Sequence, residues 1–533
     1  VGGVWAEHRL YPGLQSNNLL GTYEFSDFPL HKEIYGVEEG RPLPADIVHR
    51  YLTDYAKEFG VYERILFDSN VESAEYKDGG GWLITVCRRT GGQKSQIFAS
   101  KLIVATGLTS DPFLPIIKGS ESFEAPLFHC KDFKDHASTV DTAKNVCVLG
   151  GTKSAWDVVY AYASKGVHVD WIIRESGHGP TWMAPPYVTP LKKWLEKLTQ
   201  TRFLTWLSPC IWGDPGRFSY IRSLLHGTWI GRKFVDTFWG ILAGDVISLN
   251  EYDAHPETAK LKPWTSPFFI ASSLSILNYD TNFFDLVKDG KAQVHIADIT
   301  SLGGKTVNIS NGERLDTDAL ICCTGWKHSP PIKFLPESLD LGLPHRHGLS
   351  EPSDLIVQAD KEILDRFPRL KDQPKPNPKF KPLQDVEKTP EHEQEPYRLY
   401  RFMIPPAFID ARDIAFAGSL LTICTAMNAQ TQALWITAYF GDAVSINSDV
   451  TYASVLHSRF GKWRAPSGFG HIFPDMVFDA VSYLDMLLMD MGLKCYRKQG
   501  TVAEIFSPYG PGDYKGLTTE WIAKRAAGKL HIG

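Results

Sequence analysis

No Cys-x-x-Cys pair occurs in this sequence, and no spacing of cysteine and histidine suits a metal ion. The eight cysteines lie scattered at 87, 130, 147, 210, 322, 323, 424 and 495. That spread argues against a disulfide framework and against a dithiol redox motif, and it suits a reducing, cytoplasmic compartment. The adjacent Cys322 and Cys323 read as part of a buried strand rather than a redox switch. Long apolar runs are also missing. The stretch 420–440 comes nearest, but Asn428, Gln430 and Gln432 interrupt it, so no spanning helix is expected, while peripheral membrane association stays open. Charge of one sign is not in excess: 56 Lys and Arg face 61 Asp and Glu, a formal net charge of -5. Nothing there draws the chain to nucleic acid. Neither a Ser/His/Asp set nor a pair of catalytic carboxylates stands out.

What is present is enough chain for more than one domain, 533 residues at an ordinary 43% apolar content. Residues 45–59 are expected to form an amphipathic helix, with Ile47, Tyr51, Leu52, Tyr55 and Phe59 on one side. Strands are expected at 82–86 and 96–98 after the glycines at 79–81. A short apolar strand at 101–105 ends in Thr106-Gly107. Segment 144–150 reads as a buried strand, 154–165 as a helix stopped by Gly166, and 167–174 as a second strand. Strand, glycine turn, helix and strand in that order make a βαβ unit of a parallel sheet. The Trp-, Pro- and Leu-rich segment 176–245 is expected to be helical. Strands are expected at 292–296 and 306–309. Segment 319–323 repeats the earlier theme, a buried strand ending in Thr324-Gly325. Residues 371–396, rich in Pro, Lys and Glu, read as a solvent-exposed loop. Val477, Val481, Leu484, Leu488 and Met491 form one helix face. The other face carries Asp479, Asp485 and Asp490, which favours a packed terminal helix over a membrane-surface one.

The turn Gly150-Gly151-Thr152-Lys153-Ser154-Ala155 sits where a strand feeds a helix. It is a degenerate form of the dinucleotide fingerprint G-x-G-x-x-G/A, with Gly150 first, Ala155 third and Thr152 replacing the middle glycine. The alternative is an ordinary α/β turn. Even so, free N–H groups at the helix start would attract phosphate. Arg174 ends the second strand of the unit, where NAD-binding units place an acid for the ribose. An arginine there suits a 2′-phosphate, hence NADPH, although Glu175 follows directly. The two Thr-Gly strand ends bracket this unit, which implies one domain inserted in another.

Several uncommon strings then occur in a familiar order. Gly2-Gly3-Val4-Trp5, Arg9, Tyr11-Pro12-Gly13, Ser16-Asn17 and Phe25-Ser26-Asp27-Phe28-Pro29 open the chain. Phe123, His129 and Phe133 follow, with Ala125 in a position that is usually glycine. Leu261-Lys262-Pro263, Asp318-Ala319-Leu320-Ile321 leading to Thr324-Gly325-Trp326, and Gln432-Ala433-Leu434-Trp435 complete the set. Across most of residues 1–440 the chain resembles the flavin-containing monooxygenases and their Baeyer–Villiger relatives. Phe133-Lys134, where Baeyer–Villiger enzymes carry Trp-Pro, tilts the resemblance toward the former.

The resemblance implies an α/β fold with two Rossmann-like nucleotide domains, the NADPH domain inserted in the FAD domain. Four segments are expected: 1–143, the first part of the FAD domain; 144–316, the NADPH domain with its helical insert; 317–470, the second part of the FAD domain; and 471–533, a helical extension. By resemblance, Gly2, Gly3, Val4, Trp5, Arg9, Thr106, Gly107, Thr324 and Gly325 would contact FAD, while Gly150, Lys153, Ser154 and Arg174 would hold NADPH. Asn17 would be the catalytic residue, placed between flavin and nicotinamide, and His129 would be structural. The implied reaction places one oxygen atom of O2 on a nitrogen or sulfur of a small organic substrate through a C4a-(hydro)peroxyflavin. Baeyer–Villiger oxidation of a ketone, a related flavin reductase or oxidase, and a nucleotide-binding protein without flavin catalysis are the alternatives. The family's first strand and G-x-G-x-x-G turn, roughly 40 residues ahead of G-G-x-W and long enough for a βαβ unit, have no counterpart here. The expectation is that residues precede Val1.

Overall fold

The computed structural model describes residues 2–188, 192–213, 218–271, 273–344, 353–383, 396–446, 449–466, 470 and 472–527. Its middle is a five-stranded parallel sheet. The strands run in the order Ala292–Ile296, His168–Ile173, Asn145–Leu149, Leu320–Cys322 and Leu127–His129. Parallel strands covered on both faces need apolar residues on both, and their sequences show it. In Asn145–Leu149 the alternation is visible residue by residue. Val146 and Val148 pack under the helix Lys153–Ala163 with Trp156, Val159 and Trp171. Cys147 and Leu149 pack on the opposite side against Leu302, Val307 and Ile309. Those last three belong to an antiparallel meander, Ile299–Gly303, Thr306–Ile309 and Arg314–Asp316.

This sheet draws strands from outside the segment 144–316 expected for the middle domain. It takes Leu127–His129 from before residue 144 and Leu320–Cys322 from after residue 316, pairing Cys322 with His129 and with Leu149. Three-residue strands are too short to show a period, so the sequence alone does not assign them to a sheet.

The outer unit is built differently. Ser69–Tyr76, Trp82–Arg88 and Lys94–Ala99 form an antiparallel sheet extended by Lys333–Leu335. Leu102–Val104 pairs in parallel with Ile414–Phe416. Among the described residues that pair stands alone, with Ile103 half exposed on it. Of the two Rossmann-like domains expected, the five-stranded parallel sheet supplies one among the described residues, and the outer unit contributes this two-stranded parallel pair.

Helices fill the rest. Ser219–Gly227 and Trp229–Leu249 occupy the insert, and Thr425–Phe440, Val450–Arg464 and Ala480–Asp490 the second half. The expected helix near the C-terminus is packed, but its acidic side does not face water. Asp485 is fully buried and bonded to Arg202, which also contacts Glu504, the Cys495 carbonyl and the Tyr509 hydroxyl. Asp490 accepts from Arg401 at 2.8 and 2.9 Å and from Trp435 Nε1 at 3.0 Å. Burial pushes the Asp479 carboxyl up to about 7, against the pull of Arg464 and Arg222. A charge taken out of water needs a partner. Here the partners of Asp485 and Asp490 come from segments 55 to 283 positions away, which a helical wheel does not reveal. No helix among the described residues is long and apolar enough to cross a membrane.

Most described residues of the loop expected at 371–396 are exposed. Residues 384–395 lie outside the described residues. The described part is not free in solvent throughout, because 377–381 packs onto the corner that follows His168–Ile173. Asn377 Nδ2 donates to the carbonyls of Glu175 and Gly177 at 2.8 Å, Lys381 N donates to the Ser176 carbonyl at 2.9 Å, and Phe380 lies against His178.

Candidate active site

Two parts of the molecule carry the residues singled out above. The first is the turn between Asn145–Leu149 and Lys153–Ala163. Gly150 has φ 142°, and a Cβ there would come within 2.5 Å of the Cys323 carbonyl oxygen. A Cβ on Gly151 would come within 2.8 Å of the Gly179 carbonyl oxygen. Only glycine fits either place, so the backbone is laid close against its neighbours. The helix then begins at Lys153 with Thr152 as its N-cap, and no side chain caps it. The first-turn N–H groups, those of Lys153 and Ser154 included, are left for a ligand, with the positive end of the helix dipole behind them. These features fit a dinucleotide phosphate.

The side chains near this turn are less free than the sequence suggests. Lys153 Nζ is bonded to Asp157 and, at 2.9 Å, to Asn278 Oδ1. It lies 4.9 Å above the Tyr279 ring. Lys153 therefore offers a ligand its backbone N–H, while its ammonium belongs to a local network. Arg174 stands one residue beyond the strand His168–Ile173 and bonds Asp298 at 3.3 Å, Ser176 Oγ at 2.7 Å and the Lys381 carbonyl at 2.6 Å. An acid already shares this corner. So does added positive charge, since Lys379 pairs with Glu175 at 2.7 Å and, with Lys381, holds the Glu175 carboxyl below its usual range.

The second part gathers the two Thr-Gly strand ends. Thr324 Oγ1 donates to the Phe113 carbonyl, and Phe113 N donates to the Gly325 carbonyl at 3.0 Å. Trp326 and Lys327 pair antiparallel with Pro112 and Asp111. The chain leaving the outer unit after Thr106-Gly107 thus runs beside the chain returning through Thr324-Gly325. Arg9 joins them, donating to the Thr109 carbonyl at 3.3 Å with its guanidinium 5.2 Å from the Trp326 ring. His129 packs edge-on against the same Trp326 and accepts from Lys131 N at 3.1 Å, a structural use of its ring.

Gly2 and Gly3 both take positive φ, and a Cβ on Gly2 would come within 3.1 Å of the Trp5 backbone. Val4 is exposed, and Trp5 packs edge-on to Tyr23. Gly2, Gly3 and Trp5 thus form a tight turn. A second strand, glycine and long helix follow one another at Ile414–Phe416, Gly418 and Thr425–Phe440, and no side chain caps that helix.

Asn17 lies on the strand Gln15–Leu19, between anchored neighbours. Ser16 is buried, and its carbonyl accepts from Asn278 Nδ2 at 3.0 Å. Asn18 Nδ2 donates to Glu196 and, at 2.8 Å, to the Ile423 carbonyl. Glu196 is wholly buried and also receives Leu19 N and Thr22 Oγ1. Burial raises its carboxyl above the usual range, opposed by those donors. Between these anchors the Asn17 side chain is exposed and has no hydrogen-bond partner among the described residues. Sequence reasoning missed Glu196 and Asn278. Neither sits in a motif, and a single Glu or Asn carries no periodic signal.

Comparisons with known proteins show the family. The family described as "Pyridine nucleotide-disulphide oxidoreductase" matches residues 34–205. The FAD-dependent monooxygenase resA of Aspergillus sclerotiorum is 32% identical over 99% of this chain and 92% of its own length. The FAD-dependent monooxygenase rstn6 of Aspergillus nomiae is 32% identical over 98% and 92%. Among solved structures, the open form of cyclohexanone monooxygenase superposes with a TM-score of 0.56 at 14% identity, covering 99% of this chain and 91% of that one. That last likeness concerns the fold. Identity of this extent along nearly the whole chain is decisive: the chain belongs to the family of FAD-dependent monooxygenases.

Proposed function

We propose that the protein uses NADPH and O2 to oxygenate a nitrogen or sulfur atom of a small organic substrate. The observation that carries this reading is Asn17, an unpartnered amide held out between two buried anchors. When bound, FAD supplies the redox chemistry, taking electrons from NADPH and passing them to O2. The chain's own residues do the rest. The Gly150-Gly151 turn and the N–H groups of Lys153 and Ser154 bind the dinucleotide phosphates. Gly2, Gly3, Val4, Trp5, Arg9, Thr106, Gly107, Thr324 and Gly325 are assigned to the flavin. Asn17 offers both donors and an acceptor, so one side chain serves the flavin side and the nicotinamide side.

A substrate holding both a thioether and a ketone tests the reaction type. Sulfoxide is the expected product, and an ester or lactone with the sulfur untouched would overturn the assignment.

Coenzyme choice rests on Arg174. Its guanidinium would take a 2′-phosphate through charge-assisted hydrogen bonds, exchanging its contact with Asp298, with Lys379 and Lys381 nearby. Arg174→Ala should raise the KM for NADPH about ten-fold or more, in keeping with the roughly 1.5–3 kcal/mol of a charged hydrogen bond, and leave that for NADH nearly unchanged. Steady-state kinetics with both coenzymes checks this, and equal losses would make Arg174 structural.

A further inference from the structure

We propose that Asn278 is a positioning residue that fixes the plane of the Ser16–Asn17 peptide and ties it to the nucleotide turn. The proposal rests on the reading that gives Asn17 its catalytic role. Asn278 is buried, with 6% of its surface exposed. Its Nδ2 donates to the carbonyls of Ser16 at 3.0 Å and Gln15 at 3.3 Å, and its Oδ1 accepts from Lys153 Nζ at 2.9 Å. The chemistry forces this orientation of the amide. Two carbonyls require a donor, and an ammonium requires an acceptor.

The Ser16 carbonyl and the Asn17 nitrogen belong to one planar peptide group. Gripping the carbonyl therefore sets the direction in which the Asn17 backbone leaves it. Strand pairing does not do this at that point. The ladder joins Gln15 to Pro44 and Leu19 to Pro42, with an irregularity between them. Ser16 Oγ is engaged elsewhere, donating to the Asn18 carbonyl and accepting from Leu43 N at 3.0 Å. At its other end Asn278 meets the first residue of the helix that follows Gly150-Gly151. That lysine is fixed in turn by Asp157, which also accepts from the Tyr279 hydroxyl at 3.0 Å. One side chain thus bridges the turn assigned to NADPH and the peptide that carries Asn17.

Asn278→Asp separates the two halves of this bridge. It keeps an acceptor for Lys153 but sets a carboxylate oxygen against two carbonyls. In the full chain, amide hydrogen exchange across residues 14–20 should quicken roughly ten-fold, as expected for losing one or two buried hydrogen bonds. NADP⁺ affinity should stay within about three-fold, since the glycine turn and Lys153 keep their partners. With FAD bound, peroxide released per NADPH should rise roughly ten-fold. The double variant Asn17→Ala/Asn278→Asp should be no more uncoupled than Asn17→Ala alone, because both changes remove the same support. Asn278→Ser, too short to reach either carbonyl, should repeat the faster exchange and the peroxide release if the aspartate variant folds poorly, although it also removes the acceptor for Lys153. Unchanged exchange, a fully coupled variant or additive losses would each overturn the proposal. If Asn17→Ala itself remains coupled, the functional reading fails instead, and the exchange experiment still decides whether Asn278 holds the strand.

Discussion

Replacing Asn17 by alanine is expected to raise peroxide release per NADPH by about one to two orders of magnitude, while flavin content and the rate of flavin reduction stay nearly intact. Reduced flavin and oxygen yield peroxide readily, so productive oxygenation needs the oxygenated state to be held and water kept away. In the proposed reading, Asn17 would be the side chain that holds it. Its neighbours Ser16, Asn18 and Leu19 are tied to Asn278 and Glu196, so the amide is presented in a set direction at little entropic cost. A lost hydrogen bond of this kind is worth roughly 1–3 kcal/mol, which converts to about ten- to a hundred-fold in coupling. Because the side chain is exposed and supports no other contact, the variant should fold as the parent does. Peroxide and product measured per NADPH consumed decide the matter. A variant that stays fully coupled, or one that simply loses its flavin, would make Asn17 a turn residue.

Gly150→Ala should be the most damaging single change to coenzyme binding. The added Cβ meets the Cys323 carbonyl oxygen at 2.5 Å and the Cys323 Cβ at 3.0 Å, on a backbone with φ 142°. Cys323 follows the inner strand Leu320–Cys322 and cannot retreat easily, since its N–H is bonded to the Leu149 carbonyl at 2.7 Å. The turn must move instead, carrying the first N–H groups of the helix off the phosphate. Backbone strain of this sort costs about 1–3 kcal/mol, and misplacing the N–H groups adds to it. We expect NADPH affinity to fall at least ten-fold, and by about a hundred-fold if the turn cannot recover. Flavin content, whose assigned contacts lie elsewhere, should hold. Titration with NADP⁺ gives the affinity directly. Unaltered binding would mean that the turn is an ordinary α/β connection.

The nucleotide unit was legible because its signals are local. An apolar strand, a glycine turn and a helix of ordinary length lie within about 30 residues, and the observed Asn145–Leu149, Lys153–Ala163 and His168–Ile173 fall within a residue or two of the expected bounds. Ala292–Ile296 and Thr306–Ile309 match their expected bounds. Sequence reasoning failed where a residue's state depends on a distant partner. Asp485 and Asp490 read as a solvated face until Arg202 and Arg401 are brought to them. Arg174 reads as a free phosphate ligand until Asp298 arrives from 124 positions away. The segment at 377–381 reads as solvated chain, yet its Asn377 amide satisfies two carbonyls of the corner after His168–Ile173. Asn17 itself was found by resemblance. The anchors that make its role physically reasonable, Glu196 and Asn278, appear only when the fold brings helix and strand together.

The central claim is that electrons from NADPH are used to put one atom of O2 into an organic substrate. Turnover of the FAD-loaded protein under ¹⁸O2, with NADPH and a panel of thioethers and amines, tests it most directly. The account predicts product carrying a single ¹⁸O atom, formed in near-equal amount to the NADPH consumed. NADPH oxidation that delivers the label only to hydrogen peroxide across the whole panel, or no NADPH oxidation at all, would contradict it.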